Sequence, residues 1–103
     1  MYSLWMGLVP AAAVPGVWGH LASNGLENVG VYGAWSYLMA LAAHDGDGGE
    51  ALLTALTKCD NYSWCYELNM FDATMTRESW TGGTMSHIWG ASAVVGVVNG
   101  LLG

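Results

Sequence analysis

The stretch Met75–Ala91, MTRESWTGGTMSHIWGA, gathers Arg77, Glu78, Trp80, His87 and Trp89 around Gly82-Gly83 in a chain with few other polar handles. A carboxylate followed closely by an imidazole and flanked by indoles is the residue set of a pocket that moves protons, with glutamate as acid or base. The plainer alternative for each residue stays open. Glu78 is a pocket carboxylate or a solvated loop residue, and His87 bonds a ligand or a backbone carbonyl. Asp72 either tunes Glu78 by like-charge repulsion or caps a turn, and Arg77 is either a surface charge or a partner for Asp72. Trp18, Trp35, Trp64 and Trp89 are expected in the core.

The remaining chemistry-bearing residues are sparse. Cys59 and Cys65 fit either a disulfide closing a short loop or two buried thiols. They lack the CxxC or paired-histidine spacing of a zinc site, so no metal is expected. Asn61-Tyr62-Ser63 matches the short acceptor pattern for asparagine-linked glycans.

Composition limits the surroundings of these residues. The 103 residues are 53% hydrophobic and 10% charged, too few charges to cover the outside of a free-standing domain of this size, which predicts a piece of something larger. Eight acids against Lys58 and Arg77 give a net charge of −6, which excludes the basic footprint that nucleic acid or anionic lipid requires. The stretch from Ile88 to Leu102 carries no charge, but it is short for a span, and Pro10, Pro15 and Gly16 interrupt the apolar beginning. Membrane insertion is therefore not expected.

The elements that must hold Glu78 and His87 read as helices, with no convincing strand alternation. Val14, Trp18 and Leu21 keep helical spacing up to Asn24-Gly25, a left-handed stop. Val31 to Ala43 is apolar nearly all round, the pattern of a buried helix. Asp47 is placed to cap a helix from Gly48 to Thr57, with Leu52, Leu53 and Leu56 on its inner face and Glu50 in its first turn. Lys58 to Thr84 is irregular, and Ser86 is placed to cap a last helix, His87 to Leu102, in which Gly96 and Gly100 permit close backbone packing. The fold class is all-α, either two concentric layers of helices or a plain bundle.

In order and spacing, VYGAWSYLMAL, GDGGEALLTALTKCDNYSWCYEL, DATMTRESW, SHIWGA and GLLG resemble the final part of the catalytic domain of α-L-rhamnosidases of glycoside hydrolase family 78. The likeness extends upstream through GLVPAAAVPGVWGHLASNGL. It implies that residues 1–103 are the C-terminal part of a six-hairpin (α/α)6 barrel with alternating inner and outer helices. It further implies that Glu78 is the general base of an inverting hydrolysis by water, without cofactor, and that His87 lines the sugar pocket. Trp80 is then a residue that stacks on the sugar or fills the core. The implied partners are a rhamnose-containing glycoside and the rest of the barrel, in a secreted or cell-associated setting. Inversion needs a second carboxyl group as acid, and no segment of this chain matches the one expected. The family often reads Trp-Glu or Met-Glu where Arg77-Glu78 stands, and its Glu-to-His distance is often longer. Another six-hairpin sugar hydrolase and a non-catalytic helical interaction module are the alternatives. On the rhamnosidase reading, the isolated chain should be catalytically silent. It should also self-associate through the uncovered faces of its inner helices, Val31 to Ala43 and His87 to Leu102.

Overall fold

The computed structural model describes residues 1–72 and 74–103. The fold is mostly helical, with one small sheet. Its elements are α1 (Tyr2–Trp5), α2 (Val14–Asn24), α3 (Val31–Ala42), α4 (Gly48–Thr57), α5 (Trp64–Met70), β1 (Arg77–Ser79), β2 (Gly82–Met85) and α6 (Ser92–Gly96). Short 3-10 turns occupy Ala11–Ala13, Leu26–Asn28 and Ile88–Ala91, and a π-helical turn covers Val97–Leu101. No helix among the described residues is long and apolar enough to cross a membrane.

The centre of the molecule is α3, because its apolar residues leave it no face suited to water. Val31, Ala34, Tyr37, Leu38, Ala40 and Leu41 are buried against α1, α4, α6 and the hairpin. Ser36 is buried among them and satisfies its hydroxyl within the helix by donating to Gly33 O at 2.9 Å. The helix α2 ends where Gly25 takes a left-handed φ of 63°, as Asn24-Gly25 predicts.

Several expectations are corrected. Asp47 stands at the N-cap of α4 but makes no capping bond; its carboxylate instead faces His44 Nδ1 at 3.6 Å. The inner face of α4 is made by Leu52 and Ala55, and Leu53 points outward. The expected loop contains an antiparallel hairpin pairing Arg77 with Met85 and Ser79 with Gly82. Its strands are too short to show an alternating pattern, and it depends on Gly83 in β2, which adopts φ 85° where the pairing is irregular.

The long last helix, His87 to Leu102, is replaced by the 3-10 turn, α6 and the π turn in succession. Ser86, at φ 64°, caps none of them. The physical reason lies in Thr76, whose carbonyl accepts from His87 N at 3.0 Å and whose hydroxyl donates to His87 O at 2.6 Å. These bonds hold His87 as an extension of the hairpin, so helical geometry starts only beyond it. Gly96 and Gly100 do pack closely: a side chain at either would meet Leu52, with Leu38 also against Gly96 and Ala42 against Gly100. Apolar exposure is uneven too, since α3 is covered while Val94, Val98 and Leu102 are exposed.

Candidate functional site

Glu78 sits in the middle of β1, half-buried, and its carboxylate is fastened from the opposite strand. Thr84 donates its backbone N–H and its hydroxyl to Glu78 Oε2, each at 3.3 Å. Gly83 makes this possible, because a Cβ there would lie 2.9 Å from Glu78 Cβ and from Oε2. The missing side chain at Gly83 in β2 thus lets the glutamate lie across the facing strand. Both Thr84 bonds fall on Oε2, and the residue borders the adjoining cleft.

That cleft has a volume of about 480 Å³, with Glu27, Tyr32, Tyr62, Glu78, Trp80 and Thr81 among the residues of its wall. Tyr32, in the first turn of α3, joins the two candidate residues. It borders the Glu78 cleft, and its hydroxyl lies 3.3 Å from each ring nitrogen of His87. The tyrosine and histidine rings meet edge to face at 5.4 Å, and the Trp89 ring stands 6.1 Å from Tyr32. Tyr32 therefore links the cleft, whose wall it shares with Glu78, to His87, which lies outside that wall and is held by the Thr76 bonds.

Of the two roles open to Trp80, the packing is that of a core residue, although it also borders the cleft. It is 4% exposed, packs edge to face on Trp64 at 5.1 Å, and donates its indole N–H to Val29 O at 2.8 Å. A ring so enclosed has little face left for a ligand. Trp64 has the matching role, donating to Gly90 O at 2.6 Å. Trp18 is in the core as expected, stacked on His44 at 3.7 Å. Trp89 is not, at 52% exposed.

Arg77 pairs with an aromatic ring and not with Asp72; its guanidinium stands 4.5 Å over Phe71. Asp72 takes a left-handed turn at φ 48°. Two residues escaped the sequence reading. Tyr32 lay hidden in an otherwise apolar helix, where its polar tip at the helix start was the available signal. Glu67, a carboxylate with no sequence signal of burial, is 3% exposed in α5. Its burial pushes the carboxyl above the ordinary glutamate range, opposed by the charge of Arg77 and a hydrogen bond from the Arg77 backbone.

As chemistry, the cleft offers the Glu78 carboxylate, hydroxyls from Thr81, Tyr32 and Tyr62, and a neighbouring imidazole. Glu27 borders the cleft too, but Lys58 Nζ binds it at 3.3 Å and Asp60 at 3.2 Å, an arrangement suited to joining loops. No group of three or more histidine, cysteine, aspartate or glutamate side chains among the described residues is placed to hold a metal ion. Cys59 and Cys65 form a disulfide, with Cα atoms 4.9 Å apart. No protein-family model matches the chain, and no curated protein or solved structure matches it.

Proposed function

We propose that this chain is part of the (α/α)6 catalytic barrel of an α-L-rhamnosidase-like glycoside hydrolase, with Glu78 as the general base of an inverting hydrolysis of terminal α-L-rhamnosides. The observation that carries the reading is the mounting of Glu78: a carboxylate fixed through one oxygen by Thr84, at the edge of a cleft whose Tyr32 also touches His87. A base that must orient one water gains from such a restraint. The ordered resemblance of TRESW, SHIWGA and their neighbours supplies the sugar class. In the barrel, α3 is an inner helix, and the uncovered apolar side of the C-terminal stretch meets the remainder of the domain.

In the reaction, Glu78 takes a proton from water as that water attacks the anomeric carbon. A carboxylic acid from another part of the barrel protonates the departing glycosidic oxygen, and the product has inverted configuration. His87 and Tyr32 contact sugar hydroxyls. With Trp80 committed to the core, any aromatic surface for the sugar comes from Tyr32 and Trp89.

The test is Glu78→Gln in the complete enzyme, assayed on an aryl α-L-rhamnoside. Turnover should fall by ~10²- to 10⁴-fold with little change in KM. Azide, which needs no deprotonation, should partly restore cleavage in Glu78→Ala and give the glycosyl azide of inverted configuration. Near-normal turnover in Glu78→Gln would sink the assignment. A second reading, a helical interaction module, is favoured by one observation: an apolar hollow of about 740 Å³ bordered by Trp35, Ile88, Trp89 and Val94. The aryl rhamnoside assay separates the two, because a module has no turnover to lose.

A further inference from the structure

The loop closed by Cys59 and Cys65 has no part in the Glu78 site, yet it joins three features that bear on one another. It contains the triplet Asn61-Tyr62-Ser63, its ends are joined by the disulfide, and its tip is exposed at Asn61 and Tyr62. The chain turns at Tyr62 with φ 68° and then enters α5. The loop's side-chain hydrogen bonds run from Ser63 Oγ to Asp60 O at 2.6 Å and from Tyr66 N to Ser63 Oγ at 3.1 Å, and the Asn61 amide takes part in neither. A disulfide implies an oxidising compartment, the same kind of setting in which asparagine acceptors are used.

We propose that Asn61 is an N-glycosylation site and that it is modified before the Cys59–Cys65 loop closes. In the transfer, Asn61 Nδ2 attacks the anomeric carbon of a lipid-pyrophosphate-linked oligosaccharide. The N–C bond forms, the bond from that carbon to the pyrophosphate oxygen breaks, and the amide proton leaves to a base of the transferase. The lipid pyrophosphate departs with the electron pair, and no oxidant or reductant is needed.

The order of events follows from Ser63. The acceptor pattern requires its hydroxyl, and in the folded chain that hydroxyl is 1% exposed, caps α5 and is bonded on both sides. It is within reach of a transferase only while this segment is extended. Once α5 has formed, the glycan remains on a residue that the fold leaves outside, at a shallow groove formed with Lys58, Asp60, Tyr66 and Met70. The proposal does not depend on the rhamnosidase reading.

The experiment is peptide mapping of the protein secreted from a eukaryotic host, with and without an amidase that removes N-linked glycans. The expected result is a glycan-sized mass on the peptide containing Asn61, conversion of that residue to aspartate on release, and loss of both in Asn61→Gln. Cell-free translation into microsomes provides the same readout where a variant is not secreted. There, Cys59→Ser, Cys65→Ser or added thiol should raise the occupied fraction by keeping the loop open. An unmodified Asn61 in both the oxidised protein and the reduced, translocated chain overturns the site. Equal occupancy with and without the disulfide overturns the order of events.

Discussion

Seven of the twelve residues of α3 are buried, including its large side chains Val31, Tyr37, Leu38 and Leu41. From Ile88 to Leu102, a stretch of similar apolar content, the buried residues are Gly90, Ser92 and Gly96. The C-terminal stretch thus packs inward through its smallest residues, letting its backbone approach Leu38 and Leu52, and turns its bulk outward. The difference teaches that apolar composition states a demand for cover but does not name the side that receives it. In α3 the cover extends round most of the helix, with Tyr32 exposed at its start, whereas the last stretch is covered on one side, and its helical geometry changes along its length.

Like substitutions on the two segments should therefore have unlike effects. Leu38→Ala empties a site that is 0% exposed at the crossing of α3 with α6 and should cost ~2–5 kcal/mol, read from the urea midpoint. Gly100→Ala is next: the added methyl meets Leu52 and Ala42, and overpacking of that kind costs about 1–3 kcal/mol. If that variant were neutral, the inward face of the last stretch would not be the close contact described.

A smaller, pH-dependent effect tests the packing of α5 beside the hairpin. Because the folded-state value of Glu67 is raised, its favourable contribution is complete below the ordinary glutamate range and is lost as pH rises through that raised value. Urea midpoints of the native protein should fall relative to those of Glu67→Gln over that interval, and parallel curves would contradict the assignment. Smallest of all, Leu102→Ala, at a residue 76% exposed, should stay within about 0.5 kcal/mol of the parent. A cost near that of Leu38→Ala would mean that the outer side is already covered.

The helices legible in the sequence are those with a marked end or a sustained apolar run, as in α3. Asn24-Gly25 marks the end of α2, and α4 runs from Gly48 to Thr57 as the leucine spacing predicts. The hairpin was not legible, since strands of three and four residues have no period to read and depend on Gly83 and on bonds from Thr76 across eleven residues. For the same reason Glu78 and His87 could be picked out by type while their common neighbour, Tyr32, could not. That phenol and His87 are 55 residues apart in the chain. Burial of Glu67 was illegible because the groups that enclose it arrive with the later hairpin.

The two indole N–H bonds, Trp80 to Val29 O and Trp64 to Gly90 O, have a consequence for how this surface can evolve. Both acceptors are main-chain carbonyls, which every residue possesses, so the anchor at position 29 needs no particular side chain, while position 90 is held to glycine because a Cβ there would meet Thr76 and the Arg77 carbonyl. The hairpin and the turn after it are therefore pinned by two tryptophans together with Gly83, Gly90 and the Thr76 bonds. Residues along the cleft, Thr81 and Tyr62 among them, are free to drift and retune what the cleft accepts without rebuilding the frame that holds Glu78.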